Sequence, residues 1–591
     1  MLFALTCFLL IPLAHAASET LDAIDVTTRS APLLRYTEAP VWHASEQAMQ
    51  EAATPQEVLA KAPGVMFTQN GGAGGRGAFY LRGSESRHTV VLTDGMRLND
   101  PSITDRQYDT AFLFTPFFQD VWLLRGPAPV LYGGDATAGV IELVPRRGRD
   151  PRESVLGLGA GSFDTAQGFA LQDWGRGNHQ GSVGVSHLRT RGFSRLNRRR
   201  HGAREADGAE TTQLFQASRH RWTDRLTTDA LVYGLVGEAE FDGLTGDNDD
   251  RTFNRQGTLV QTTRGTAMGG EWWLRTGYVG QERQLRGTSD LHYRGEGRQA
   301  QLGVSHERGA WTVTLGAGAE QERLAMAGLN AGNDVAHAFV LPRWRQGALS
   351  LEAGVRGEQH QRYGGFAAGE ATARWVRGGI VTHAKVARGY KSPSLYQLYA
   401  PAVGFAGGNA DLLPERNLSQ EAGVAWKGAG EASVTAFRQD YTSLIDYTPS
   451  GARGYANQGS LRVRGLEAEV LSPEHSWGQV TLTGTWLAFS RYDTTPLRRP
   501  PYLFNAGWRG EWGAWGAEMG LRLVGGRRDQ GATRIERLAP YELLSALVRW
   551  SPDERQSWLV RLGNLTDREY EDVWGYGVAP LNASLQWLGR F

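Results

Sequence analysis

From about Arg152 onward, apolar and polar residues alternate at period two over one short segment after another. In residues 311–320, Trp311, Val313, Leu315, Ala317 and Ala319 share one face, with Thr312, Thr314, Gly316, Gly318 and Glu320 on the other. Residues 349–356 repeat the pattern, Leu349, Leu351, Ala353 and Val355 opposing Ser350, Glu352, Gly354 and Arg356, and it returns after Val480 and Ala517. Such alternation predicts β-strands with one apolar and one polar face. Two architectures can use them: a soluble propeller or sandwich, with apolar faces meeting in a core, or a transmembrane barrel, with apolar faces turned to lipid. The polar faces carry Gly, Ser, Thr, Glu and Arg along whole segments, many segments end in Trp, Tyr or Phe, and no repeat of fixed length is visible. Aromatic girdles at the bilayer interfaces and a polar lumen account for both features, so the barrel is favoured.

Roughly 440 residues follow Gly148, and at about 20 residues per strand and connection they make about 22 strands. A lumen of that size needs a plug. Residues 41–147 are compact in character and supply one. In "TPQEVLAKAPGV", Thr54 is a plausible N-cap, Pro55 takes the first helical position and Glu57 the third, before a Pro-Gly stop. "TVVLTDGMRL" and "AGVIELVP" read as strands of a small α+β unit. The expected division is a signal peptide over 1–16, a periplasmic tail over 17–40, a plug over 41–147 and a barrel over 148–591.

Within the plug, "QNGGAGGRGAFYLRG" places Gly72, Gly74 and Gly77 at the G-x-G-x-x-G spacing of a dinucleotide-binding turn. That site needs a helix N-terminus after the turn. The extended "AFYLRG" follows instead, so the phosphate reading fails. The expectation is a flexible apex loop with exposed backbone donors and a single charged side chain, Arg76.

Composition removes other classes. Lys and Arg number 63 against 62 Asp and Glu, so no global field points to nucleic acid. The first residues are apolar and end in Ala14-His15-Ala16, the pattern of a secretory signal cut before Ala17, although no Lys or Arg precedes Arg29. Cys7 is the sole cysteine and lies in that segment, so the mature chain holds neither disulfide nor thiolate metal site. No other run approaches the about 20 apolar residues of a spanning helix. G-x-S-x-G and H-E-x-x-H are both missing and the 13 His are scattered, so no enzyme is expected.

"VLTDGMRLNDP", "LLRGPAPVLYGGDATAGVIELV", "DLLPERNLSQEAG", "YANQGSLRVRGLEAE" and "NLTDREYEDVWGYGVAP" together resemble the TonB-dependent outer-membrane transporters. The resemblance implies an all-β membrane protein, a 22-stranded antiparallel barrel with an N-terminal α+β plug, in the outer membrane of a Gram-negative bacterium. It also implies energy from TonB with ExbB and ExbD, a periplasmic binding protein downstream, and a monomer. Leu21, Asp22, Ala23, Ile24, Asp25, Val26, Thr27 and Thr28 sit where the family keeps its TonB box, which pairs with TonB by strand addition. Leu585, Trp587, Gly589 and Phe591 share one face of the last strand and resemble the family's barrel-insertion signal.

Within the family, "TQNGG", "SPSLYQLYAP", "SLIDY" and "YEDVWGYG" are most similar to the vitamin B12 (cobalamin) transporter group. By position, that likeness implies corrinoid contacts at Arg76, Ala78, Glu85, Ile103 and Thr104, although Arg76, Ala78 and Glu85 differ in chemistry from the group. It also implies calcium ions in extracellular loops, held by Glu205, Asp207, Asp242 and Asp249 or Asp250, with solvated loop acids as the alternative. No covalent cofactor is expected. The basic run 195–204 suits lipopolysaccharide phosphates, an anionic ferric chelate or plain solvation. Three readings stay open: a corrinoid transporter, a ferric-siderophore or other metal-chelate receptor, and a passive surface receptor.

Overall fold

The structure, a computed structural model, describes residues 41–52, 54–113, 116–148, 152–202, 205–243, 246–288, 290–402, 407–450, 453–490 and 496–591. The expected signal peptide and the TonB box at 21–28 lie outside the described residues. Twenty-two antiparallel strands form one closed barrel. The first, Ser154–Gly161, pairs with the last, Asn582–Arg590, from Val155↔Arg590 to Gly161↔Ser584, so no edge is left open. Closure satisfies every ladder amide inside the sheet, as a span through lipid requires.

The strands are inside out by the standards of a soluble protein. In Leu349–His360, Glu352 and Arg356 are 3% and 2% exposed, whereas Val355 is 59% exposed. Polar faces turn into the lumen and apolar faces turn to lipid. Tight turns of a few residues join the strands at one rim, where Trp222, Trp311, Trp426, Trp512, Trp515 and Trp550 stand exposed as an interfacial girdle. Longer loops crowd the other rim. Leu585 and Phe591 are exposed on the outer face of the closing strand, and Trp587 and Phe591, toward the turn rim, meet edge to face at 6.5 Å.

The lumen holds a small α+β unit. Its strands are β1 (Val41–Ala44), β2 (Val65–Gln69), β3 (Gly77–Leu81), β4 (Thr89–Thr93), β5 (Met96–Arg97), β6 (Phe118–Arg125) and β7 (Gly139–Pro145). They form a five-stranded sheet in the order β1-β6-β7-β4-β5 and a separate β2-β3 hairpin. Helices α1 (Glu46–Glu51), α2 (Pro55–Leu59) and α3 (Pro129–Tyr132) complete the unit. The Thr54 hydroxyl accepts from the Glu57 amide and Pro55 opens α2, as the sequence predicts. Plug and barrel share apolar cores: Phe117 stacks on Phe215 with centroids 5.0 Å apart, beside Leu123, Leu231 and Tyr233.

The tightest junction is ionic. Arg82, 1% exposed at the end of β3, donates through Nη1 to Glu421 at 2.5 Å and through Nε and Nη2 to Glu467 at 3.0 and 2.8 Å. Its guanidinium also lies over the Phe437 ring at 4.6 Å. Arg125, at the end of β6, reaches Glu467 at 3.5 Å. Burial works against the Arg82 cation, but Glu467 and then Glu421 outweigh it and raise its pKa. Gly64 has φ +77° and its side-chain position is filled by Glu467, so only glycine lets the hairpin approach this close.

Removing one partner from a buried pair leaves uncompensated charge, at a cost of about 3–5 kcal/mol. Arg82→Ala is therefore expected to raise hydrogen exchange across β2, β3 and β6 while the barrel amides stay protected. Arg82→Met combined with Glu421→Gln and Glu467→Gln is expected to restore most of the protection, and equal exchange in both variants would show that charge is not what holds the junction.

Candidate functional site

The plug meets the loop-rim side through three segments: the turn 70–76 between β2 and β3, the stretch 82–88 with its 3-10 turn Ser86–His88, and the long connection 98–110. Asn99 fixes the last of these. Its Oδ1 accepts from the Val91 amide at 3.0 Å and its Nδ2 donates to the carbonyls of Thr89 and Arg106, each at 3.1 Å. Asp100 accepts from the Ser102 amide and hydroxyl, both at 2.7 Å, and burial pushes its carboxyl up against the opposing influence of Arg283.

The glycine-rich turn differs from expectation. Its donors are used internally: the Gly75 amide bonds to Gly72 O at 3.0 Å, the Asn70 amide to Arg76 O at 3.0 Å, and the Gly74 amide to Ala111 O at 3.3 Å. Gly71 and Gly74 have φ of +79° and +75°, and side chains there would run into Arg195 and Ala239 of the barrel. The glycines let a tight turn press against the wall.

The five residues placed at the apex by resemblance separate into two groups. Arg76 is exposed and pairs with Asp105 at 3.3 Å. Glu85 is half-buried, in contact with Arg499 and 3.9 Å from Arg87. The Thr104 carbonyl accepts from Ser394 Oγ at 2.5 Å. Ala78 lies in β3 within a cluster that includes Met66, Tyr80 and Leu503, and Ile103 is 2% exposed. Arg76, Glu85 and Thr104 thus reach the open side, and Ala78 and Ile103 lie beneath it.

Barrel loops complete the site: Tyr396 lies in the run "SPSLYQLYAP", Ile445 and Tyr447 in "SLIDY" and Tyr455 in "YANQGSLRVRGLEAE", whereas no motif marked Arg283 and Tyr293. The helix Leu395–Tyr399 is held by a Ser394–Gln397 capping box and packs Tyr396 beside Tyr293, Ile445 and Tyr455. Tyr447 and Tyr455 face across the hairpin Ile445–Ser450/Arg453–Asn457 at 5.3 Å. Arg283 lies over Tyr293 at 4.7 Å. Three arginines of the basic run have partners: Arg195 turns inward and donates to Ala73 O at 2.7 Å, Arg199 pairs with Glu569 at 2.5 Å, and Arg200 grips Glu571 at 2.6 and 2.8 Å, while Arg198 is exposed. Arg204 lies outside the described residues.

Glu205 and Asp207, at the loop-rim start of the strand Asp207–Thr223, meet Asp242, near the end of the neighbouring strand Leu226–Gly243, with one carboxylate oxygen of each within 4.8 Å of the others. Asp207 and Asp242 are 3% and 1% exposed. Asp207 accepts from the Arg195 amide at 2.7 Å and Asp242 from the Asn248 amide at 2.9 Å. Three hard-oxygen carboxylates at this spacing match the donor chemistry of Ca²⁺. Asp249 is exposed and outside the group, and Asp250 instead accepts from the Thr288 amide at 2.6 Å and hydroxyl at 2.8 Å.

Below the apex the plug is tied to the wall by charge. Arg97 reaches Glu320 of the wall at 3.7 Å, Arg106 reaches Glu322 at 2.8 Å, and Arg87 and His88 reach Glu415 at 2.9 and 2.6 Å, while Arg97 and Arg106 share Asp135 inside the plug. Burial pushes the Asp135 carboxyl up, but Arg106, Lys391 and Arg97 prevail and hold it well below the usual carboxylate range. Between these groups lies a void of about 20 Å³, room for a water molecule and not for a solute.

Residues 152–565 match the family model for the TonB dependent receptor-like β-barrel, and residues 34–140 match the TonB-dependent Receptor Plug Domain. Among solved structures, the siderophore receptor PirA from Acinetobacter baumannii superposes with a TM-score of 0.80 at 14% identity, over 93% of this chain and 98% of that one. A variant of the ferric enterobactin receptor PfeA from Pseudomonas aeruginosa gives 0.79 at 16% identity, over 94% and 99%. The ferric yersiniabactin uptake receptor FyuA from Yersinia pestis gives 0.78 at 15% identity, over 95% and 99%.

Gly74→Val forces a branched side chain into a left-handed turn against Ala239, at a cost of about 1–3 kcal/mol. The expected result is faster amide exchange confined to residues 70–76 and 110–113. Unchanged exchange there would show that the turn does not depend on wall contact.

Proposed function

The chain belongs to the TonB-dependent receptors of the outer membrane, and from that premise we propose that it imports a large, scarce and nearly uncharged nutrient of the corrinoid class, cobalamin or a relative. The family is one of receptors and transporters powered through TonB, not of enzymes. What supports the corrinoid reading is the approach of Glu205, Asp207 and Asp242 to within 4.8 Å, on the positions that the likeness to cobalamin transporters gives to calcium. A bound Ca²⁺ would offset their mutual repulsion and stiffen the loops flanking the apex. The floor chemistry points the same way. Arg76 is matched by Asp105, and Glu85 by Arg499 and Arg87, so the apex charges are largely cancelled before any ligand arrives. An anionic ferric chelate is better served by unpaired cations.

In this reading, substrate rests on Arg76, Glu85 and Thr104 with the loops above. TonB, driven by ExbB and ExbD, engages Leu21 to Thr28, and a periplasmic binding protein takes the product below. The solved relatives named for siderophores raise the alternative of a ferric chelate, but at 14–16% identity they speak for the fold alone.

Purified protein is expected to bind cyanocobalamin, and removal of Ca²⁺ with a chelator to weaken binding about tenfold or more, the size of a lost loop-ordering contribution. Asp207→Asn with Asp242→Asn should abolish the Ca²⁺ response. Absence of binding across a corrinoid panel, with binding of a ferric chelate, would replace this reading by the alternative. Deleting Asp22 to Thr28 should stop uptake and leave binding intact; a passive receptor would keep its function without that segment.

A further inference from the structure

At the turn rim the tryptophan girdle changes character across three adjacent strands, Thr165–Arg176, His179–Phe193 and Asp207–Thr223. Between Trp174 of the first and Trp222 of the third runs a lateral row of other chemistry: Arg176 lies directly opposite His179, and His179 directly opposite His220. The row is on the outer wall, because three residues away on each strand Asp173, Ser182 and Ala217 face the lumen, at 1%, 0% and 0% exposure. Its rings are held from both sides. Trp174 and His179 lie 6.2 Å apart, His179 and His220 5.6 Å, and Trp222 meets His220 edge to face at 4.2 Å. A side chain at Gly181 would run into Trp174, so glycine there lets the indole settle against the sheet next to the row.

Short turns mark the periplasmic side of such a barrel, so the lipid at this rim belongs to the inner leaflet, which is built of glycerophospholipids. Val183 and Val185 follow His179 on the same strand, roughly 9 and 14 Å deeper in the membrane for a rise of about 3.3 Å per residue and a tilt of about 45°. They are 46% and 42% exposed, and Leu214, opposite Val185, is 61% exposed. One leaflet supplies about half of a hydrocarbon core roughly 30 Å thick. These apolar side chains therefore lie among its acyl chains, and the row lies at its headgroups.

The row offers donors and contains no carboxylate. Arg176 and His179 are exposed and His220 is half-buried. Among the described residues Arg176 makes no ion pair and neither imidazole makes a hydrogen bond. The acids at this level point inward: Asp173 accepts from Arg146 at 2.9 Å, and Asp229 accepts from Arg219 at 2.6 Å, while Thr228 stands opposite His220 on the outer wall. Asp224 sits beyond Trp222, in the turn. A guanidinium fork and imidazole N–H groups suit phosphate oxygens, and flanking tryptophans suit the glycerol region at the membrane boundary. The ammonium of an ethanolamine headgroup would find no carboxylate in the row, so a headgroup of net negative charge fits better.

We infer that Arg176, His179 and His220 form a binding site for an anionic glycerophospholipid of the inner leaflet. The row holds the phosphate, Trp174 and Trp222 flank the glycerol, and Val183, Val185 and Leu214 line the acyl chains. The site lies at the opposite rim from the substrate apex and shares no residue with it.

The full-length mature protein, purified in mild detergent and stripped of lipid, is tested by native mass spectrometry with three probes: phosphatidylglycerol, phosphatidylethanolamine of the same acyl chains, and glycerol 3-phosphate. One phosphatidylglycerol is expected to stay bound at collision energies that strip the other two. Arg176→Gln with His179→Gln and His220→Gln should weaken its retention about tenfold or more, as the loss of an interfacial cation and two donors implies. Arg225→Gln, which removes an exposed arginine from the neighbouring turn of the same rim, should leave it unchanged. Resistance of the folded barrel to SDS checks that each variant has folded. Equal retention of phosphatidylethanolamine or of glycerol 3-phosphate, unchanged retention in the triple variant, or equal loss with Arg225→Gln would overturn the assignment.

Discussion

A closed barrel of 22 strands satisfies its own backbone but leaves a wide polar lumen, and everything inside must be held to that polar wall. The apolar faces of the strands are committed to lipid, so most of the wall offers hydroxyls, amides and charges. The plug is therefore docked through buried ion pairs, with Arg82 between Glu421 and Glu467 at their centre. Such pairs differ from an apolar seam. Desolvation consumes much of their attraction, so the assembled junction is only modestly better than the same groups in water. Breaking it dry, one partner at a time, is costly; breaking it with water entering is not. A plug that must seal at rest and yield under load is suited by that difference.

The same economy runs through the rest of the lumen. Arg97 and Arg106 share Asp135, Arg87 and His88 share Glu415, and Arg146 draws on Glu46, Glu153 and Asp173. In each cluster a charge serves more than one partner, so local displacement exchanges contacts before losing them. Apolar packing is concentrated elsewhere, around Phe117, Leu123 and Phe215, where the plug sheet meets its own side of the wall.

The architecture was legible because its signal is repeated. Period-two alternation recurs along the chain, a polar face and an apolar face can be told apart at each repeat, and residues per strand lead to the count of 22. Thr54 and Pro55 announced α2 because capping is local. The site was less legible because its contacts are not local. No spacing marks Arg499 as the neighbour of Glu85, or Tyr396 as part of a cluster with Tyr293 and Tyr455. The run 195–204 left phosphates, an anionic chelate and plain solvation open because the partners of Arg199 and Arg200, Glu569 and Glu571, lie more than 350 residues away in sequence. The glycines of residues 71–77 signalled freedom, but their role depends on wall atoms contributed by Arg195 and Ala239. Family position brought Glu205, Asp207 and Asp242 into view together with Asp249 and Asp250, and only the folded geometry separates the three from the other two.

The order of the plug sheet says where a pull from below would act. β1 is one of the two edge strands, the first described element after the segment where the family engages TonB, and it pairs only with β6. Tension arriving at Val41 meets the Val41↔Leu124 pair first, so the ladder opens from one end and its bonds share the load in sequence, not together. Leu124 is followed by Arg125, whose guanidinium lies 3.5 Å from the Glu467 that also holds Arg82. Stripping β1 from β6 thus disturbs the strand that carries one cation of the central junction, and a shift of Arg125 leaves Glu467 with a single arginine. An edge strand that peels and an ion pair that weakens once wetted thus stand next to each other, so a pull on the first is passed directly to the second.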